Sequence, residues 1–406
     1  MSETLEAYYG LPSEVKFCKK CTISNQRPNS SVEMKNLNKD KKTIDFDQHG
    51  VCSACNFTVN KKDIDWKARE KKLFELLEPY RSTDGSYDVL VPSSGGKDSA
   101  FAAHILKYKY KMNPLAITWA PNMFTKAGWE NFNNLTRIGG IDSFLYTPNG
   151  KLHSYLTKLA FKNLGHPFQP FVHGQKVIGP KMAKKLGIKL IVYGENQAEY
   201  GNPLEDNKDP FMKLDYFTMD NPLDMILGGV RVDEIIKKTE FTLNDFSAYI
   251  PPTKNEIIAS ETKVTFLGYF EKWDPQECYY YAVDNTGFMP SFERSIGTYS
   301  RYTEIDDKIV PFHFYMTYIK FGIGRATYDS AQEVRNGKIT RDEAVHLVKK
   351  FDGEFPEKYL EQFCNYIKIS KKDFYNVVDD FRSPHLWKKR DGHWLLRHSS
   401  YKVREV

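Results

Sequence analysis

Apolar residues along the 406-residue chain follow two rhythms. Between about residues 87 and 196, short unbroken apolar runs alternate with longer stretches in which apolar side chains recur every three or four positions. The runs "YDVLVP", "PLAITWA", "DSFLYTP" and "IKLIVYGEN" predict four buried strands. Between them, "KDSAFAAHILKYKY", "GWENFNNLTRIGG", "KLHSYLTKLAFKNLG" and "HGQKVIGPKMAKKLG" predict helices. The first of these sets Phe101, Ile105 and Leu106 on one face, and the last is helical despite Gly179 and Pro180. "KVTFLGYF" predicts one more strand. Strands alternating with helices imply an α/β fold: a parallel sheet with helices on both faces, Rossmann-like.

The flanks read differently. Residues 1–62 are polar and turn-rich, a separate module. "DIDWKAREKKLFELLEPYR" predicts a helix capped by Asp63 or Asp65. Residues from about 200 to 260 are loop-like and read as a lid or an insertion. Past residue 325, "RATYDSAQEVRNG", "TRDEAVHLVKKF", "PEKYLEQFCNYI" and "SKKDFYNVVDDFR" predict helices. The expected division is therefore 1–62, 63–325 with the insertion at 200–260, and a helical region at 326–406.

Charge narrows the function. The net charge is +6, but acidic and basic residues are interleaved and there is no arginine-rich arm. That pattern favours a protein handling an anionic small molecule over a nucleic-acid binder. No run approaches the ~18 apolar residues of a membrane helix. "MSETLEAYYG" lacks the segments of a signal peptide, so a cytoplasmic chain is expected. In a reducing compartment, cysteines serve metals rather than disulfides. Four of the six cysteines form C-x₂-C-x₃₀-C-x₂-C, and Cys18, Cys21, Cys52 and Cys55 could hold Zn²⁺ in a closed structural site, with an iron–sulfur cluster as the competing reading. A metal would also explain how so polar a module folds.

The first predicted strand runs straight into Ser94-Gly95-Gly96-Lys97-Asp98-Ser99 and then a helix. Glycines let backbone N–H groups approach an anion, and the helix start adds partial positive charge. The residues are not those of the common P-loop. They resemble the S-G-G-x-D-S signature of the PP-loop ATP pyrophosphatases, which cleave ATP to AMP and pyrophosphate. In that reading Ser94, Ser99 and the Gly95 and Gly96 amides hold phosphate oxygens. Lys97 neutralises the departing pyrophosphate, and Asp98 holds Mg²⁺.

A second constellation, "YGENQAEYGNP", follows the fourth strand and should face the same sheet edge. Glu195 and Glu199 could hold Mg²⁺, accept a proton from ammonium or orient the substrate, and Asn196 could bond its amide. Lys320 and Arg325, on either side of two glycines, could bind pyrophosphate or an anionic substrate. Thr118 and Trp119 could lie beside adenosine. His166, His173 and His313 lack metal-ligand spacing and read as structural, as do Cys278 and Cys364.

"CKKCTISNQRPN", "GVCSACN", "DVLVPSSGGKDS", "YGENQAEYG", "YIKFGIGRAT", "EVRNGKITRDEAV", "KKFDGEFPEKY" and "FRSPHLWKK" together resemble the N-acetyl sugar amidotransferases of the WbpG and PseA kind, over residues 16–398. The resemblance implies ATP-dependent conversion of a sugar acetamido group to an acetamidino group, in bacterial surface-polysaccharide (O-antigen, lipopolysaccharide) or flagellin-glycan synthesis. The acceptor is then a nucleotide-linked or nonulosonic acetamido sugar. No glutaminase is visible in the chain, so ammonia is expected from partners resembling the histidine-pathway glutaminase and cyclase. The alternative is an RNA-thiolating PP-loop enzyme adenylating a base carbonyl.

Overall fold

In the computed structural model, which describes residues 5–195 and 209–401, the first strand of the sheet is also its middle one. The strands are β1 (Val89–Pro92), β2 (Pro114–Trp119), β3 (Asp142–Tyr146), β4 (Leu190–Tyr193), the short hairpin pair β5 (Ile226–Leu227) and β6 (Val230–Arg231), and β7 (Lys263–Phe266). Five of them form one parallel sheet in the order β3-β2-β1-β4-β7. The chain builds outward from β1 to β3, then returns to the other side of β1 for β4. Ligands of such sheets bind where the order reverses, beyond the carboxyl ends of the strands. Here that point lies between β1 and β4, paired through Leu90 and Ile191.

The alternation of side chains along each strand explains the double cover. Leu90, Leu115, Ile117, Ile191 and Val264 belong to one buried cluster, with Leu156 and Phe161 of α5 (Gly150–Leu164) and Ile178 of α6 (Gln169–Leu186). Their neighbours Val89, Val91, Ala116, Leu190 and Val192 belong to the other, with Leu73 and Leu77 of α2 (Trp66–Leu77), Ala103 and Leu106 of α3 (Lys97–Tyr108), and Leu135 of α4 (Lys126–Arg137). Helix starts are set by local chemistry: the Asp65 side chain accepts from Ala68 N–H, Thr125 from Gly128, and Asn149 from Lys151 and Leu152.

The segments outside the sheet pack into the same interior. Residues 209–260 are an insertion whose α7 (Val232–Lys238) and α8 (Lys254–Ala259) bury Val232, Ile235 and Ile257 in the first cluster, beside Met225 and Phe246. This part does not hang free as a lid, and the remainder, 196–208, lies outside the described residues. "KVTFLGYF" is a strand only to Phe266 and then turns into α9 (Leu267–Phe270). α10 (Pro275–Thr286) packs on α3. The C-terminal region holds α11 (Val310–Phe321), α12 (Arg325–Arg335), α13 (Arg341–Phe351), α14 (Leu360–Ile367) and α15 (Lys371–Asp380). It closes with a hairpin, β8 (Trp387–Arg390) and β9 (His393–Leu396), turned by Asp391 and Gly392 at positive φ. Leu11 and Met34 from the amino end share the first cluster with Phe363, Phe374 and Trp387 from the carboxyl end. The amino-terminal segment carries α1 (Ser53–Lys61) and is tied to the far end of the chain by Thr22 donating to the Thr327 carbonyl and His385 Nε2 meeting Gln26 Oε1.

Candidate functional site

The turn after β1 is held open by its own side chains. Ser93 Oγ donates to Ser99 Oγ at 2.9 Å and accepts from Gly95 N–H at 3.2 Å, and Ser99 Oγ also reaches the Gly96 carbonyl at 3.0 Å. Gly95 sits at φ +82, and a Cβ there would lie 2.7 Å from the Phe132 nitrogen of α4. No side chain caps α3, whose N-cap is Gly96. Its first N–H groups are therefore left for an anion.

Lys97 and Asp98 form an ion pair on the first turn of α3, with Lys97 only 5% exposed. Burial pulls the ammonium down, but the Asp98 carboxylate outweighs it and holds Lys97 above its ordinary value. Asp98 Oδ1 is buried without a hydrogen-bond partner. β4 delivers Glu195 to the same place, where burial, and then the Asp98 charge, push its carboxyl up. The two sequence motifs thus meet. Glu199 and Asn196 fall outside the described residues.

Both motifs open into a cavity of about 610 Å³, in the ordinary range for small-molecule sites, roughly 300–1,000 Å³. Ser94 to Ser99 and Glu195 line one end. Three carboxylates that the sequence reasoning passed over line it too: Glu304, Asp306 and Asp329. Glu304 is reached by solvent, yet its desolvated setting pushes its carboxyl up to about 7. Burial raises Asp306, against a hydrogen bond from Ser94, and raises Asp329, against the attraction of Arg325. The acidic run "TEIDDK" was the available signal for Glu304 and Asp306.

Other expected site residues are placed differently. Thr118 is buried and donates to the Ser93 carbonyl, so it braces the turn from behind. Arg325, 1% exposed, bonds the Thr303 and Glu304 carbonyls and lies 4.7 Å from the Phe314 ring centroid. It positions the acidic loop and does not line the cavity. Lys320 lines the far end, but its ammonium is turned to the Leu164 carbonyl at 2.7 Å and to Asn38. His173 Nε2 donates to the Tyr249 carbonyl at 2.7 Å, and the ring is a core residue. His166 and His313 line the cavity.

The four amino-terminal cysteines converge, all buried, with ligand atoms within 4.8 Å of one another. Cys18 and Cys55 sulfurs are 3.9 Å apart, and Cys21 and Cys52 sulfurs 3.7 Å. A tetrahedral ion with metal–sulfur bonds of 2.3 Å has edges of about 3.8 Å. The Cys18 sulfur also faces the N–H groups of Lys20, Cys21 and Cys52. The set can hold a metal ion.

Residues 296–400 match the family model described as the C-terminal domain of the LPS biosynthesis protein WbpG and its likes. This segment, about a quarter of the chain, is similar to that domain. The matched segment contains Glu304, Asp306, His313, Lys320 and Asp329, which line the same cavity as the turn at 94–99. Among curated proteins, it is 32% identical over 104 residues to the uncharacterized protein MJ1599 of Methanocaldococcus jannaschii, across 26% of this chain and 37% of that one. The chain thus spans little more than a third of that relative. Two solved structures align with parts of the chain. The NH3-dependent NAD synthetase of Campylobacter jejuni, in complex with nitrate, is 19% identical with a TM-score of 0.25, over 34% of this chain and 59% of that one. The NMN synthetase of Francisella tularensis is 16% identical with a TM-score of 0.27, over 55% and 87%. Among the described residues no helix is long and apolar enough to cross a membrane.

Proposed function

We propose that this chain is an ATP-dependent amidotransferase that converts the acetamido group of a sugar to an acetamidino group, within bacterial surface-glycan synthesis. One observation carries the reading: a phosphate loop of the PP-loop type and a WbpG-like domain wall the same cavity.

The amide oxygen of the acceptor attacks the α-phosphorus of ATP. The bond to the bridging oxygen breaks and pyrophosphate departs, its charge met by Lys97 and the uncapped N–H groups at the start of α3 after Gly96. The amide nitrogen gives up its proton, leaving an O-adenylyl imidate. Ammonia adds at the imidate carbon, and AMP leaves with the former amide oxygen. Ammonium must lose a proton before it attacks, and carboxylates held near neutrality suit that task. Glu304 at about 7 and the raised Glu195 are the groups assigned to it. Asp98, with one oxygen unpartnered, is the residue that would hold Mg²⁺, whose charge would offset that of the phosphates. The four cysteines would hold Zn²⁺ as a closed structural site.

Ammonia comes from a separate glutaminase. Cys278 and Cys364 are buried, and burial pushes both thiols up, so neither serves as a glutaminase nucleophile or a persulfide carrier. The same fact weighs against RNA thiolation.

The deciding experiment is mass spectrometry of candidate acetamido sugars incubated with the protein, ATP, Mg²⁺ and ammonium. A product in which NH replaces O, formed with AMP and pyrophosphate, is expected. AMP formation with no change in any sugar would sink the reading.

A further inference from the structure

Beside the main cavity lies a second space, and a narrow neck stands between the two. The outer space holds about 480 Å³ and is rimmed by the exposed Arg301 and Lys338. The neck holds about 10 Å³, close to the room one water molecule needs. It shares Pro275, Thr303 and Asp329 with the main cavity, and Tyr299 and Glu333 with the outer space. Tyr302 lines all three. The spaces therefore stand in a row, from the protein surface to Thr303, the chain neighbour of Glu304.

The neck is acidic. The carboxylates of Asp274, Asp329 and Glu333 line it, and among the described residues no lysine, arginine or histidine does. Lys338, outside it, stands 3.8 Å from Asp274. Asp329 accepts from Thr298 Oγ1 at 2.6 Å, and Glu333 from the Tyr302 hydroxyl at 3.4 Å. Desolvation pushes both carboxyls up; the charge of Arg325 pulls Asp329 back, and those of Asp274 and Asp329 push Glu333 further. Carboxylates gathered out of water are stabilised by a cation among them. Tyr299 Oη, in the same wall, is buried and has no hydrogen-bond partner among the described residues. Buried polar groups are nearly always bonded, and this oxygen can accept from an N–H. Tyr302 stacks on Tyr279 with centroids 4.3 Å apart, so tyrosine rings wall the outer space. Ring faces attract ammonium-type cations. A guest of this size excludes a sugar or a nucleotide, and the charge favours ammonium over water.

We propose that this row of spaces is the route by which ammonium enters the catalytic cavity, selected in the neck by Asp329 and Glu333. The ion arrives at Glu304, whose carboxylate takes one of its protons and leaves neutral ammonia in the cavity. Nitrogen thus reaches the reacting carbon without passing the bound ATP. The inference rests on the amidotransferase reading for the use to which ammonium is put.

One test reads the ion alone. Crystals of the full chain are soaked in rubidium chloride, whose cation matches ammonium in charge and nearly in size. Anomalous scattering should show a peak between Asp329 and Glu333, displaced by added ammonium chloride and absent from Glu333→Gln. No peak, or a peak that ammonium leaves in place, overturns the proposal. A second test reads the reaction, with the acceptor sugar found by mass spectrometry. Glu333→Gln, and Asn336→Trp, which fills the neck, should each raise the KM for ammonium about tenfold, the worth of one hydrogen bond to a charged group. ATP titrated into both variants should bind as in the parent, which also shows that they fold. An unchanged KM for ammonium in both overturns the proposal. If the parent converts no sugar, the amidotransferase reading fails by itself, and the rubidium peak still decides whether the neck takes the ion.

Discussion

Gly194 and Asp98 touch backbone to backbone: a Cβ on Gly194 would lie 2.6 Å from the Asp98 carbonyl oxygen. The end of β4 is thereby pressed against the first turn of α3, and Glu195 is set beside the Lys97–Asp98 pair. Gly194→Ala cannot be absorbed by a side-chain shift, because the obstacle is main chain. It should cost about 1–3 kcal/mol of stability and lower pyrophosphate release by more than that loss explains. Denaturant melts beside turnover measurements check this, and an alanine variant with parental turnover would refute the contact's role.

Asp98→Ala removes the unpartnered oxygen assigned to Mg²⁺ and also the counter-ion of Lys97. Pyrophosphate release should be abolished while the metal bound by the cysteines stays at the parental level. Elemental analysis and a phosphate-release assay separate the two. Persistent release would strip Asp98 of its metal role.

Glu304 gives the reaction a pH signature. Its carboxyl is pushed up to about 7, chiefly by its desolvated setting in the cavity wall and against the attraction of Arg325. The ionised form is the proton acceptor, so kcat/KM with ammonium should rise with pH through about 7. In Glu304→Gln the rate should fall and that limb should vanish. An unchanged limb in the variant would assign the ionisation to another group.

The parts legible in the sequence were those with a strong local signature. Strands such as 89–92 are apolar without interruption because both faces are covered, and the turn at 94–99 follows the first strand where its serines and glycines predict it. The four cysteines were legible from spacing alone. What sequence could not show was where distant segments meet. Arg325 sits beside glycines like a phosphate ligand, yet it is spent on the Thr303 and Glu304 carbonyls. Lys320 points to Leu164 and Asn38 for the same reason: tertiary partners outbid solvent. Glu304, Asp306 and Asp329 look like ordinary surface acids until α11 and α12 fold them toward the phosphate loop. Reading 326–406 as helical missed the hairpin at 387–396: Asp391-Gly392 is a turn signal, but the helical pattern before it masked the change of period.

Buried histidines set the acid limit of the fold. Burial holds His153 and His173 at about 4, well under their ordinary value of 6.5. The unfolded chain binds protons at these sites in the window from about 6.5 down to 4 while the folded chain does not. Their contribution is thus present above 6.5 and lost as pH falls through that window. Asp307 and Asp352, raised by burial to about 7 and about 6, act oppositely: their share is present below the unfolded carboxylate range and lost as pH rises through those values. Because the terms oppose, the parental curve is a difference, and a single-site variant is the clean readout. His173→Gln should lose less stability than the parent between pH 6.5 and 4 in urea melts. A parallel pair of curves would mean that His173 does not titrate on unfolding.

The cysteine cluster couples a metal to a site it does not touch. Its sulfurs pack with Ala331 of α12, the Arg341 side chain bonds the Cys18 carbonyl, and the stretch that follows lays Asn29 and Lys41 along the cavity. Metal removal should therefore free residues 5–62 from α12 while leaving intact the sheet face whose buried cluster takes no residue from that segment. Cys52→Ser should lose the metal and become cleavable by protease within residues 5–62. It should raise the KM for the acceptor far more than the KM for ATP, since the turn at 94–99 is braced by Thr118 of β2 and packs against α4. If ATP affinity fell as steeply as acceptor affinity, the module would be holding up the whole fold rather than one wall of the site.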